Sequence, residues 1–124
     1  MKEVDFQRWV TDVAKRFGWR VWHVPSPMRA ADRDRGWVGA REAAGLPDLI
    51  MFHEDPPCLI FAELKGTGGK LTDAQQEFLR LARLVAEPVE SDFGDFVYAP
   101  VGVYAWKPGD EDAVETILRS KIMA

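Results

Sequence analysis

The sequence predicts an α/β fold, a mixed central β-sheet flanked by helices, in one domain spanning residues 1–124. Three observations lead there. Apolar residues alternate between helical spacing and runs of strand formers, in the order helix, strand, hairpin, helix, strand, helix. The 124 residues, 47% of them apolar, suffice for one buried core without disulfides or a structural metal. The single cysteine, Cys58, excludes an intrachain disulfide and reads as a small packing residue.

The elements follow in chain order. Val4, Phe6, Trp9, Val10, Val13, Ala14 and Phe17 recur at helical spacing, which predicts a helix from about Lys2 to Phe17, stopped by Gly18. Trp19 to Val24 is rich in strand formers and ends at Pro25 and Pro27. Ser26 to Gly45 has no period, and a loop this long is often functional. Asp48–Phe52 and Cys58–Lys65 read as a hairpin with a turn over His53–Pro57. Gly66-Thr67-Gly68-Gly69 breaks the second strand. A helix from about Asp73 to Ala86 follows, with Phe78, Leu79, Ala82 and Val85 inward. Glu87–Pro100 reads as an irregular insertion and Val101–Trp106 as a strand. The acidic run Asp110-Glu111-Asp112 favours a last helix through its dipole, burying Val114, Ile117, Leu118 and Ile122. Trp9, Trp19, Trp22 and Trp106 read as core or dimer surface, and His23 as a structural strand histidine.

Charge and flanking segments narrow the function classes. No stretch is apolar for long enough to span a membrane, and the N-terminus lacks an apolar secretory core, so the expectation is a cytoplasmic protein. The formal net charge of −4 disfavours broad phosphate binding. Basic charge is nonetheless concentrated at Arg29, Arg33, Arg35 and Arg41. Gly66–Lys70 does not make a nucleotide-binding P-loop: Leu64 stands where the first glycine belongs and Leu71 where Ser or Thr belongs.

The strand at Cys58–Lys65 carries the chemistry. Alternate residues share a face, so Ile60, Ala62 and Leu64 lie on one side and Phe61, Glu63 and Lys65 on the other. Glu63 and Lys65 are then roughly 7 Å apart along the backbone, at the end of an apolar run where a lone charge is costly. A hairpin partner that starts at Asp48 brings a second carboxylate to Glu63. Two carboxylates at that range repel, and a divalent cation removes the repulsion. Oxygen donors suit Mg²⁺ or Mn²⁺ rather than zinc. Such an ion can acidify water and stabilise charge on a phosphate, with Lys65 assisting the water or holding a phosphate oxygen.

Gly45-Leu46-Pro47-Asp48 followed by Glu63-Leu64-Lys65 resembles the motif of PD-(D/E)xK nucleases. The continuation from Gly68 through Gln75 resembles the VRR-NUC branch, in which a glycine-rich turn and a glutamine near the next helix start follow the motif strand. Glu3 and Gln7 stand like the acidic and glutamine positions of that family's opening helix. The resemblance covers Glu3 to about Val85, and the final strand and helix more loosely. It implies a restriction-endonuclease-like core and a Mg²⁺- or Mn²⁺-dependent DNA endonuclease of the stand-alone phage or bacterial type. Structure-specific cutting of branched DNA, like a Holliday junction resolvase, and a homodimer are implied too. Asp48, Glu63, the Leu64 carbonyl and Glu3 would surround the metal, with Lys65 and Gln75 beside it. Arg29, Arg33, Arg35, Arg41 and Lys70 are the expected phosphate contacts, and Trp37 a base-stacking residue. Ser26–Ala44 exceeds the shortest members, and Glu87–Pro100 looks inserted.

Plainer readings stand beside these. Glu63 and Lys65 could form a simple ion pair, and Asp48 could cap a turn after Pro47. Thr72-Asp73-Ala74-Gln75 spells a capping box, so Gln75 could serve the helix, the site, or both. Glu3 suits any helix N-terminus, and Trp37 could simply pack its loop. Two other functions remain open: a module that binds DNA or protein without cutting, and a nuclease for plain duplex.

Overall fold

The computed structural model describes residues 1–25, 45–86, 89–90, 96–97 and 100–122. Within these, helix α1 is Glu3–Arg16, α2 is Asp73–Ala86 and α3 is Glu111–Ser120. Strands β1 (Arg20–His23), β2 (Leu49–Glu54), β3 (Pro57–Leu64) and β6 (Val101–Trp106) form one sheet in that order. β1, β2 and β3 pair antiparallel, whereas β6 joins β3 in parallel, so the sheet is mixed. The Glu87–Pro100 stretch, expected to be irregular, contains a small antiparallel pair, β4 (Val89–Glu90) with β5 (Phe96–Val97). None of the helices among the described residues is long and apolar enough to cross a membrane.

Helix α1 ends where its glycine requires. Gly18 adopts φ +87°, a conformation without steric cost only for glycine. Its N–H donates to Lys15 O, and Trp19 N–H donates to Ala14 O, which satisfies the last carbonyls as a Schellman motif. Trp19 is thereby turned inward, and its indole N–H donates to Leu118 O at 2.9 Å, tying the end of α3 to the α1–β1 corner. His53 packs edge-on against Trp19.

The two sheet faces have different roles. Leu49 and Met51 of β2 lie opposite Ala62 and Ile60 of β3, and these join Leu64 in the main core. Phe6, Val10, Val13 and Ala14 of α1 and Val114 and Leu118 of α3 cover them. Burying each large side chain contributes about 1.5–3 kcal/mol. The opposite face carries Phe61, against which Phe78 of α2 packs edge-on at 5.6 Å, with Leu79 buried beside it.

Three expectations need correction. The hairpin turn is shorter than His53–Pro57, because His53 pairs with Cys58 and Glu54 with Pro57, leaving Asp55-Pro56 as the turn. Val85 is 75% exposed, as are Leu81 and Leu84 in large part, so burial along α2 stops near Ala82. Helical period identifies a stripe but not where the surface beneath it ends. Ile122 is also exposed, since α3 stops at Lys121 in a left-handed conformation (φ 59°) and turns the chain out of the helix. Of the tryptophans, Trp19 and Trp106 are core, Trp9 stacks on Phe6 at the core margin, and Trp22 is exposed against Phe52.

Gly45, which precedes β2, lies close against the start of α2. A Cβ there would lie 2.6 Å from Ala74 O in the first turn of α2. We expect Gly45→Ala to destabilise the protein by about 1–3 kcal/mol, as overpacking of a rigid contact does. Chemical denaturation measures it, and an unchanged midpoint would mean that the two segments separate freely.

Candidate active site

The hairpin register makes the site. Leu49 pairs with Ala62, so one step further Asp48 stands opposite Glu63. The same apolar alternation that buries Leu49 and Ala62 on one face therefore puts both carboxylates on the other. Asp48 Oδ2 accepts the Leu64 N–H at 2.7 Å, which holds the strand ends together just past the last ladder pair. Lys65 N–H donates to Trp106 O, anchoring the far side of β3 to β6.

Glu63 is 2% exposed, an uncommon place for a carboxylate. Its Oε1 accepts Gln75 Nε2 at 3.0 Å and lies 3.7 Å from Lys65 Nζ. Lys65 is itself largely buried, with 17% of its side chain exposed. Burial pushes the Glu63 carboxyl up from its ordinary 4.5 to about 8. A hydrogen bond to Asp48 and the Asp48 charge add to the rise, Lys65 opposes it, and the charge of Glu3 adds slightly. With no cation, burial beside Asp48 therefore favours the protonated form of Glu63 near neutral pH.

Gln75 has two roles at once. Its Oε1 accepts the Thr72 N–H at 2.9 Å while Thr72 Oγ1 accepts the Gln75 N–H at 3.2 Å, a complete capping box. Its Nε2 meanwhile donates to Glu63. The helix start and the carboxylate are thus linked through one side chain.

The remaining candidates are placed as follows. Glu3 is exposed in the first turn of α1, near enough for its charge to act on Glu63. The Leu64 carbonyl lies on the peptide between Leu64 and Lys65, at the same strand end as the carboxylates. Lys70 is exposed on the turn before α2. Arg29, Arg33, Arg35, Arg41 and Trp37 lie outside the described residues. One contact had no signal in the sequence: His23 Nδ1 meets the Gln7 amide at 2.8 Å, across the α1–β1 junction.

The donor set fits a hard divalent ion. Among the described residues the protein's donors reach one oxygen of each carboxylate, Asp48 Oδ2 and Glu63 Oε1. The two carboxyl groups also hydrogen-bond each other, and a cation in place of that proton would be held by both. No cluster of three or more His, Cys, Asp or Glu is present among the described residues. Mg²⁺ commonly takes one or two carboxylates and completes its shell with water and phosphate oxygens, so two are enough. Comparison with known proteins finds no matching family model, no matching curated protein and no matching solved structure.

A pH prediction follows from Glu63. Between about pH 4.5 and 8 the folded state keeps a proton that the unfolded chain releases, so stability falls as pH rises through that window. We expect the melting temperature in EDTA to decline from pH 5 to pH 8, and Glu63→Gln to flatten much of that decline. An equally steep profile in the variant would place the titrating group elsewhere.

Proposed function

We propose that this protein is a Mg²⁺- or Mn²⁺-dependent endodeoxyribonuclease with a restriction-endonuclease-like core, acting on DNA and preferring branched structures. The observation that carries the reading is the row formed by Asp48, Glu63, Lys65 and Gln75: two facing carboxylates, one almost fully buried, with a partly exposed ammonium and an amide on the same oxygen. A structural ion pair has no need of the second carboxylate, which raises the energy of the first. The resemblance of Pro47-Asp48…Glu63-Leu64-Lys65 to the PD-(D/E)xK motif, and of Gly68–Gln75 to the VRR-NUC branch, supports the same chemistry.

In this reading Asp48 and Glu63 hold the ion, with the Leu64 carbonyl and Glu3 nearest to complete its shell. The bound ion supplies Lewis acidity toward water and the phosphodiester. Lys65 holds a phosphate oxygen or the attacking water from the protein side. Gln75 keeps Glu63 turned toward the ion and ties it to α2. Lys70 and the arginines between residues 29 and 41 offset an otherwise acidic chain along the DNA backbone, and Trp37 offers a stacking surface. A homodimer would present two such centres, one for each strand.

The test is cleavage of a labelled four-way junction and its linear duplex control in Mg²⁺, Mn²⁺ or EDTA. We expect metal-dependent cutting, faster on the junction. Lys65→Ala and Glu63→Ala should each reduce it by at least about a hundredfold. No cutting by folded wild type in any metal would overturn the reading in favour of a binding module; equal cutting of both DNAs would leave a duplex nuclease.

A separate pair of variants divides the roles of Gln75. Thr72→Ala should cost about 1 kcal/mol of stability as a lost cap and leave most activity. Gln75→Glu keeps a capping-box residue but replaces the donor to Glu63 with a third carboxylate, so activity should fall while the helix start holds. Full activity in Gln75→Glu would confine Gln75 to capping.

A further inference from the structure

An open groove of about 490 Å³ runs between α1 and β1, its polar lining supplied by Glu3, Gln7, Arg8, Thr11, Asp12 and His23 beside the apolar Val4. Its size falls within the range of small-molecule sites. Two independent contacts join its end to the acidic pair. Glu3 lines the groove, and its charge acts on Glu63; a Cβ on Gly66, the residue after Lys65, would sit 3.0 Å from the Glu3 nitrogen. On the β1 side, His23 pairs with Leu49 in the sheet, and the Val24 N–H donates to Asp48 O. A strand with its phosphate at Asp48 and Glu63 thus has this groove beside it.

The lining chemistry selects the occupant. Glu3 and Asp12 are acceptors that repel phosphate, and Arg8 is the groove's only cationic side chain among the described lining residues. What remains is a neutral group with several donors and acceptors on one edge. Gln7 Nε2 meets His23 Nδ1 at 2.8 Å. In this orientation the amide donates, Nδ1 accepts, and Nε2 carries the ring proton as a donor. A donor at His23, a carboxylate at Asp12 and a forked donor at Arg8 match the mixed edge of a nucleobase: a carboxylate accepts from exocyclic amines, and arginine donates to ring nitrogens and carbonyls.

We infer that the α1–β1 groove is a subsite for an unpaired nucleobase of the strand held at the acidic pair, read by His23, Arg8 and Asp12 with Gln7 orienting the imidazole. This rests on the nuclease reading and deepens it: a base paired within a duplex has its edge engaged and cannot enter, whereas one beside a nick, flap or branch can. It also gives a task to His23, which a structural role in the core does not explain, since the side chain is exposed.

The test is binding, read by fluorescence anisotropy of short labelled single strands with Ca²⁺ present, so that the carboxylates are satisfied. Intact strands are compared with strands carrying one abasic nucleotide at successive positions. We expect an abasic site at one position to weaken wild-type binding about tenfold, the scale of one well-made base contact. His23→Ala and Asp12→Ala should weaken the intact strand to a similar degree, and should have little further effect on the abasic strand, as a double-mutant cycle requires for a shared contact. Asp12 is exposed on α1, so its variant keeps the test valid if His23→Ala disturbs the β1 corner. Equal binding of intact and abasic strands, equal weakening of both by the variants, or no strand binding at all would overturn the subsite. Cutting by wild type and Lys65→Ala is followed on parallel samples in Mn²⁺. Absent cutting with base-dependent binding removes the nuclease reading alone, and Lys65-dependent cutting without base dependence removes the subsite alone.

Discussion

The buried carboxylate of Glu63 is the constraint around which this end of the molecule is organised. A charged group so deep in the protein is costly unless every neighbour is arranged to meet it. Here the neighbours come from three elements. Lys65 stands just past the end of the same strand, Gln75 comes from the start of α2, and Asp48 comes from the mouth of β2. Asp48 acts in the opposite sense from the other two, because its charge disfavours ionisation of Glu63. A fold selected only for stability would replace this pair. Keeping it makes sense when a cation or a developing charge is to be balanced there.

Register is what makes the arrangement possible. The Asp55-Pro56 turn and the apolar alternation of β2 and β3 set one pairing, and a slip of one residue would turn Leu49, Met51, Ile60 and Ala62 toward the wrong face. The core and the acidic pair therefore stand or fall together. α1 adds a third support. Just before it, the Met1 amine donates to Thr67 Oγ1, and Thr67 N–H donates back to Met1 O, so the helix start lies along the turn that follows Lys65. The opposite end of α1 is held by Gly18 and Trp19. A helix fixed at both ends makes a rigid wall for the groove beside the acidic pair, and rigid elements position polar groups better than loops do.

Much of this was legible along the chain because its cause is local. The helix and strand periods, the stop at Gly18, the hairpin and the shared face of Glu63 and Lys65 all come from short-range geometry. Gln75 shows where such reasoning divides. Thr-x-x-Gln identifies a capping box from four residues, but whether the free amide end of Gln75 also reaches a carboxylate twelve residues earlier depends on how α2 crosses the sheet. The exposed Val85 and Ile122 mark the same boundary from the other side, since an apolar stripe does not state how much surface lies beneath it.

By itself, then, the sequence determined the α/β layout, the pairing of β2 with β3, and the candidate set Asp48, Glu63 and Lys65, because strand alternation and turn chemistry act over a few residues. Only the tertiary structure decided how deep Glu63 lies, that Gln75 serves two partners, and that Gln7 and His23 meet across the α1–β1 corner. The physical reason is that burial and long-range hydrogen bonds belong to no single element. They arise when helices dock on a sheet, and the docking is set by the sum of the core rather than by any residue in the site.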